Sequence, residues 1–526
     1  VSGTPPAKSA KNRNYAATDY AVFAILFFTN ILNYMDRYTM AGVLTGIQKD
    51  FSISDSLAGL LQTTFIVSLA VGSPVFGYLG DRYSRKWLMV VGLLVWTLSV
   101  LGSSLMPQTK FGGFVSMRGL FGIGQAAYVT VSPSLIADIF AGSKRSTMLM
   151  LYYFGIPVGS GLGFIVGSQV ASVTGDWRWG IRATTILDAI CLVLIIIFVK
   201  ERPRGITEHE GAVPEKQEKS VQHSSYGADL LSLFKNATFM TSSFAYTCVI
   251  FVTGTLSWWM PTAMQHIYAH RKNFNSTDFL PPAEKSTTTF NFGIITLISG
   301  FVGVAAGSVL SSLLSSGKWC FACCQTPRSD PIICAVGTAI GVPTFFAVMQ
   351  LVPMNMVSAQ VVMFFCISSL CFIWATNVNL LISVVPADKR NSANGIQILL
   401  SHIFGDGSGP YVIGAISDAI RGTDRTPLAH WKSLSLAFYV ANAILIPAVV
   451  LFIVAAITYP RDRANFLKAM NGSPTQMAAI AENGNSTSNK VAPVDTGPNK
   501  NAFQTQPTPQ SSDPQSSNEK TAAQEK

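Results

Sequence analysis

Asn33-Tyr34-Met35-Asp36-Arg37-Tyr38 sits inside an apolar run from Tyr20 to Leu44. About 20 apolar residues suffice to cross a bilayer as a helix, so this run sets a carboxylate and a guanidinium at membrane depth. A charge at the bilayer centre costs roughly 2.5 to 3.5 kcal/mol on insertion scales, which drives such residues to face a bundle interior or a water-filled cavity. Asp36 and Arg37 are therefore a packing ion pair, or a membrane-end charge that snorkels, or the servants of a polar cavity, which is the default for ionisable groups at that depth. Neighbouring helical residues diverge by about 100°, so the two do not both point squarely into one cavity, and one is expected to contact another helix.

The same apolar pattern recurs along the chain. Of 526 residues, 49% are hydrophobic and only 12% charged, against about 25% charged in soluble domains. Runs at about 20–44, 57–79, 88–105, 112–139, 146–172 and 182–200 form one set, and runs at about 239–268, 290–316, 331–353, 357–385, 391–420 and 434–459 form a second. The expected fold is an all-α integral membrane protein with twelve transmembrane helices in two pseudo-symmetric six-helix bundles, 20–200 and 239–459, joined by a charged cytoplasmic linker over 201–238. Residues 1–19 are polar and basic, so no cleavable signal peptide is expected within them and the first span is the expected insertion signal. Residues 460–526 are rich in Asn, Ser, Thr, Pro, Gln, Glu and Lys, bury too little apolar surface to fold, and read as a disordered cytoplasmic tail.

An even number of spans puts both termini on one side. The short loops, the linker with its border residue Lys200, the amino terminus and the start of the tail on that side carry 21 Lys and Arg against 10 on the other, so both termini are expected in the cytoplasm. The same bias largely accounts for the net charge of +10, which calls for no nucleic-acid partner. Asn275-Ser276-Thr277 then falls in a non-cytoplasmic loop and is the expected glycosylation site, whereas the sequons at Asn236, Asn471 and Asn485 face the cytoplasm and should stay bare.

The turn Ala137-Asp138-Ile139-Phe140-Ala141-Gly142-Ser143-Lys144-Arg145-Ser146, between the fourth and fifth runs, is echoed by Val385-Pro386-Ala387-Asp388-Lys389-Arg390-Asn391-Ser392 between the tenth and eleventh. Gly159-Ser160-Gly161 is echoed by Gly407-Ser408-Gly409, 248 residues on, and the Lys-Arg turns are offset by 245 residues. Such a shared register is expected of two six-helix repeats packed around a central site. The eight cysteines lie mostly in apolar runs and read as small core residues, not a disulfide frame. Cys320, Cys323 and Cys324 share a loop with no His or acid close by, which makes it an inert loop or a palmitoylation cluster and not a zinc site. No cofactor or metal is expected.

Gly77-Tyr78-Leu79-Gly80-Asp81-Arg82-Tyr83-Ser84-Arg85-Lys86 joins the second and third runs. Gly77 and Gly80 allow close helix approach. Asp81, with Arg82 and Arg85 beside it, suits the positive end of a facing helix, a contact able to latch one conformation. This stretch resembles the signature loop of the major facilitator superfamily. Arg118-Gly119-Leu120-Phe121-Gly122-Ile123-Gly124-Gln125-Ala126-Ala127 resembles the superfamily's fourth-helix motif, and its Arg118 either binds an anionic headgroup or holds Asp36. Gly155-Ile156-Pro157-Val158-Gly159-Ser160-Gly161-Leu162-Gly163 is similar to its fifth-helix pattern, where Pro157 frees a backbone carbonyl and the glycines permit bending and close packing. In the eleventh run His402 and Asp406 stand one turn apart, ahead of Gly409 and Pro410 at a bend, and His402 reads as a titratable group or as a satisfied core histidine.

Asn33-Tyr34-Met35-Asp36-Arg37, Arg118 with its Gly-rich continuation, Tyr153 to Gly163, Gly175-Asp176-Trp177-Arg178-Trp179 and Ser401-His402-Ile403-Phe404-Gly405-Asp406 narrow the resemblance to the spinster branch of lipid transporters, over about residues 20–459. That resemblance implies export of lysophospholipids from lysosomes, driven by protons, or of sphingosine 1-phosphate from cells. One departure is Gln125, where the family's fourth helix usually has Glu; a carboxamide takes up no proton, so either Asp36 and His402 carry the coupling or coupling is weakened or absent. The expected mechanism is alternating access around a mid-membrane cavity lined by spans one, four, seven and eleven. Asp36 and His402 hold the proton, and Arg37, Arg118 and Gln125 meet the headgroup. Trp258 and Trp259 either contact the acyl chain or belong to an interfacial aromatic belt. A carrier of sugars or organic anions is the rival, since the signatures do not encode substrate. An enzyme lacks a nucleophile-base or metal constellation here, and a receptor has no need of the two-half repeat. The expected partners are the lipid, protons and the bilayer, with the chain acting as a monomer in the lysosomal or late endosomal membrane, or alternatively the plasma membrane.

Overall fold

The computed structural model describes residues 17–140, 142–200, 231–317, 324–386 and 389–471. Most of the linker and of the tail, Cys320 and Cys323 lie outside the described residues, as do the side chains of Asp81 and Asn471. Helices at Ala17–Gly42, Asp55–Arg82, Arg85–Leu105, Phe111–Ile139, Gly142–Thr174 and Trp177–Phe198 form the first six spans. Ala237–Arg271, Pro282–Ser316 and Ser329–Met354 are spans seven to nine. The tenth is Met356–Leu370 continued by Ile373–Val384, the eleventh is Arg390–Ser401 and Gly409–Arg421 around a π-helical turn His402–Asp406, and the twelfth is Pro427–Asn471. Ten of these spans are long and apolar enough to cross a membrane by length and composition alone. The two that fall short are the first, which carries Asp36 and Arg37, and the eleventh, which is broken at His402–Asp406.

Short polar side chains set where the spans begin. Ser54, Asp176, Asn236 and Asn355 each accept a backbone N–H one turn into the following helix, satisfying donors that a helix start leaves without partners. Gly317, at φ 63°, ends the eighth span where a side chain would be strained. The last helix runs on past Tyr459, where composition alone places the tail, because tertiary contacts hold the extra turns. Asp462 accepts the N–H of Thr238 at 2.8 Å, and Arg463 donates to the Ser383 carbonyl at 2.9 Å.

The fifth span is a glycine ladder. A Cβ on Gly159 would stand 2.3 Å from the Ile31 carbonyl oxygen, one on Gly163 2.5 Å from that of Met35, and one on Gly167 2.9 Å from Thr39 Cγ2, all in the first span. Gly155 meets Asn30 of the same span, while Gly161 turns the other way, to Gly293 and Leu297 of the eighth. Placed every four residues, the glycines let two backbones touch without a side-chain layer between them. Gly159→Ala is therefore expected to lower the melting temperature of the purified protein by overpacking, a cost of about 1 to 3 kcal/mol. Gly112→Ala, where nothing lies within 4 Å, serves as the matched control; equal melting temperatures for the two would refute the ladder.

The halves are joined at membrane depth and on the face opposite the basic loops, called the outer face below. Thr45 donates to Gln265 at 2.8 Å, Lys49 pairs with Asp278 at 3.3 Å, and Thr63 donates to the Gly407 carbonyl. Asp55, 1% exposed at the start of the second span, pairs with Arg421 and accepts from Ser417 at 2.8 Å. In return Asp418 accepts the backbone N–H groups of Asp55 and Ser56, at 3.0 and 2.7 Å. A carboxylate from one half thus caps the first turn of a helix in the other, where backbone donors and the helix dipole favour an anion.

Candidate functional site

The first span divides its two charges between different neighbours. Asp36, 4% exposed, turns into its own half. There Trp96 of the third span donates its indole N–H to one carboxylate oxygen, and Thr184 and Asp188 of the sixth span lie against it, with Arg118 of the fourth close by. Arg37 turns to the other half and donates to Asp406, whose second oxygen lies 3.0 Å from His402 Nδ1. The guanidinium of Arg37 stands 5.5 Å from the Phe65 ring and 5.6 Å from that of Tyr38.

The break in the eleventh span makes that second contact. Gly407 donates its N–H to the His402 carbonyl at 2.9 Å, and Gly405 leaves helical geometry at φ −100° and ψ −108°. A π turn inserts one extra residue into the ladder, and such turns collect at functional sites. Here the turn brings Asp406 against Gly254 of the seventh span, where a Cβ would come within 2.5 Å of the Asp406 Cβ, so the site needs glycine at 254. The bend therefore lies upstream of Gly409 and Pro410. Gly409 packs on Thr255 and Phe251, and the Pro410 carbonyl accepts the Trp259 indole N–H at 2.9 Å.

Arg118 is 2% exposed and lies between two rings, 5.1 Å from Phe65 and 4.8 Å from Phe121. Its Nε and Nη2 have no hydrogen-bond partner among the described residues. Buried donors are nearly always satisfied, so these two nitrogens are free to take an acceptor. Tyr34 of the first half and Tyr246 of the second lie within electrostatic reach of the Arg37–Asp406 pair, and Tyr153 lies within reach of Tyr34. Phe154 stacks on Phe301 across the seam at 4.9 Å.

Other expected residues take different places. Gln125 donates to the Asn33 carbonyl at 2.9 Å, a bond that ties the fourth span to the first. Trp258 and Trp259 are 2% and 0% exposed, inside the protein and not in an interfacial belt. In the signature loop, Gly77 and Gly80 approach Thr130 and Val131 of the fourth span, Arg82 covers the Tyr78 ring at 4.3 Å, and Arg85 pairs with Asp138. Pro157 abuts Gly300 of the eighth span, and Asn275 is exposed in an outer-face loop. Among the described residues no group of three or more His, Cys, Asp or Glu could hold a metal.

A Major Facilitator Superfamily model matches residues 26–410. The chain is 40% identical over 422 residues to protein spinster of Drosophila melanogaster, covering 80% of this chain and 66% of that one. It is 38% identical to protein spinster homolog 3 of Danio rerio, covering 88% of each, and 40% identical to protein spinster homolog 1 of Homo sapiens, covering 80% of this chain and 75% of that one. Among solved structures it matches a bacterial homolog of the human lysosomal transporter Spinster, in an inward-facing and unoccupied conformation, with a TM-score of 0.70 at 17% identity over 86% of this chain and 99% of that one. It also matches a D-xylose-proton symporter, with a TM-score of 0.62 at 17% identity over 82% and 97%; both likenesses show the fold. The twelve-span architecture, its two halves joined through a charged seam, and these relatives together place the chain in the spinster family of the major facilitator superfamily, a membrane transporter and not an enzyme.

Proposed function

We propose that this transporter carries a lysophospholipid or a related single-chain anionic or zwitterionic lipid, with protons as the coupled ion. The observation that supports this most is Arg118, a buried guanidinium with two nitrogens that have no partner among the described residues, standing near an Arg37 that is paired across the seam. Guanidinium groups match phosphate geometry, so a phosphate headgroup supplies the missing acceptors and competes with Asp406 for Arg37. Asp406 keeps His402, 3.0 Å from its second oxygen, as its partner when Arg37 turns to the headgroup, and Asp36 takes the coupled proton. Tyr34, Tyr153 and Tyr246 offer apolar ring faces with polar tips, as a site for an amphiphile requires. Gln125, Trp258 and Trp259 then support the walls of the site through packing. The description of the bacterial relative names its human counterpart as a lysosomal transporter, which favours a lysosomal or late endosomal membrane. The outer face is then luminal, and Asn275 is its glycosylation site.

The test is flux of labelled lysophosphatidylcholine in liposomes holding the full chain, with and without a pH gradient, with labelled sphingosine 1-phosphate and xylose as competing arms. One pH unit is worth about 1.4 kcal/mol per proton, so coupling at one proton per lipid accumulates label up to about tenfold. Flux of xylose without flux of either lipid would reject the lipid reading. Lipid flux indifferent to the gradient would reject the coupling.

A further inference from the structure

The charged cluster inside the first half contains one carboxyl more than the proposed mechanism uses. Asp188 lies in the apolar stretch Ile186-Leu187-Asp188-Ala189-Ile190 of the sixth span and is 0% exposed. Neither of its oxygens has a hydrogen-bond donor among the described residues, and the same holds for Oδ1 of Asp36. The two carboxyls nevertheless lie against each other.

We infer that Asp36 and Asp188 form a dyad that binds one proton between them, and that this is the site through which the first half takes up and releases the transported ion. The inference rests on the proton-coupled reading above and adds to it a second carboxyl and a stoichiometry. Side-by-side carboxylates in a poorly polarisable interior repel strongly. A proton on one oxygen turns the contact into a hydrogen bond and supplies the donor that the facing oxygen lacks.

The charges around the dyad fix the count at one. Arg118 of the fourth span is the cation nearby, Trp96 of the third span donates to Asp36, and Thr184 and Cys191 of the sixth span complete the polar surroundings. With one shared proton the two carboxyls carry a single negative charge, which Arg118 balances; without it they carry two against one. Arg37 does not enter the balance, being held by Asp406. The fourth-span amide Gln125 takes up no proton and spends its N–H on Asn33, so the partner carboxyl of Asp36 comes from the sixth span. The arrangement also links the ion to the substrate. A headgroup that takes up Arg118 withdraws the balancing cation, which keeps the proton on the dyad until the headgroup leaves.

Infrared difference spectra of the purified, reconstituted protein, recorded on titration without substrate, read a protonated carboxyl through its C=O stretch. The parent is expected to lose one such band as the pH is raised, Asp36→Asn and Asp188→Asn are each expected to lack it, and Asp188→Glu is expected to keep it at a shifted frequency. A parental band in Asp188→Asn would overturn the dyad, and so would a parent with no band. If Asp188→Asn fails to fold, the Asp188→Glu frequency decides alone, an unshifted band counting against the proposal. In liposomes Asp188→Asn is expected to give lipid uptake that no longer varies with pH. Absence of lipid flux in the parent beside an intact band would fail the transport reading and spare the dyad, whereas gradient-driven flux that keeps its pH dependence in Asp188→Asn would do the reverse.

Discussion

Arg37→Ala is expected to abolish transport and lower thermal stability, while the double variant Arg37→Ala with Asp406→Ala is expected to recover stability alone. Removing Arg37 leaves Asp406, 6% exposed and deep in the bundle, with only His402 as a side-chain partner among the described residues. Breaking one side of a buried ion pair costs about 3 to 5 kcal/mol, because the remaining charge stays desolvated. Removing both sides leaves a small gap in place of an unpaired charge, and replacing a buried pair by apolar groups is often close to neutral. Transport is a separate matter, because Arg37 is the cation that the seam offers to the headgroup, and restoring electrical balance does not replace it. Melting temperature and initial uptake rate, measured on the same preparations, separate the two roles. Parental uptake by the double variant would show that Arg37 only holds the halves together, and parental stability of Arg37→Ala would show that the pair is not dry.

The spans were legible because hydropathy over about 20 residues is a strong signal, and the Lys-Arg turns together with the Gly-Ser-Gly echo pointed to two repeats. Pairing was much less so. Arg37 and Asp406 lie 369 residues apart, and no local pattern joins them. Sequence placed His402 one turn before Asp406 but did not place the π turn that aims Asp406 at the first span. The rule that singled out Asp36, a lone acid in an apolar run, applies equally to Asp188 and was the available signal for it. The ladder of Gly155, Gly159, Gly163 and Gly167 has a spacing of four that favours packing over hinging, and the structure shows it packed on the first span. Trp258 and Trp259 stayed open between acyl contact and an interfacial belt, because a tryptophan pair has the same composition at a membrane surface as in a core; burial sets the belt aside.

Arg421→Ala is expected to open the outer face. Asp55, Asp418 and Arg421 lie at span ends, and the structure closes them into one unit between the halves. Arg421 holds both carboxylates and lies 2.8 Å from His430 Nδ1, Asp55 accepts from Gln48 at 2.8 Å, and Asp418 caps the second span. Beside them Gly59 lets the Pro410 backbone come so near that a Cβ would stand 2.3 Å from its carbonyl oxygen. Without Arg421, Asp55 is left 1% exposed while the face is closed, facing as countercharge among the described residues only His430, 3.9 Å away and a cation only when protonated, but gains water as the halves separate. The penalty thus falls on one conformation and not on the other. A selective cost of about 3 kcal/mol shifts a two-state balance by more than a hundredfold, enough to make a rare outward-open state common. Thr45→Cys and Gln265→Cys report the change directly, since their native side chains touch at 2.8 Å across the seam. In an otherwise parental chain the two thiols should cross-link readily under mild oxidation. With Arg421→Ala added, cross-linking should fall, and a membrane-impermeant thiol reagent should label either single cysteine faster. Equal cross-linking with and without Arg421 would mean that glycine-lined backbone packing, and not the charged unit, keeps the outer face shut.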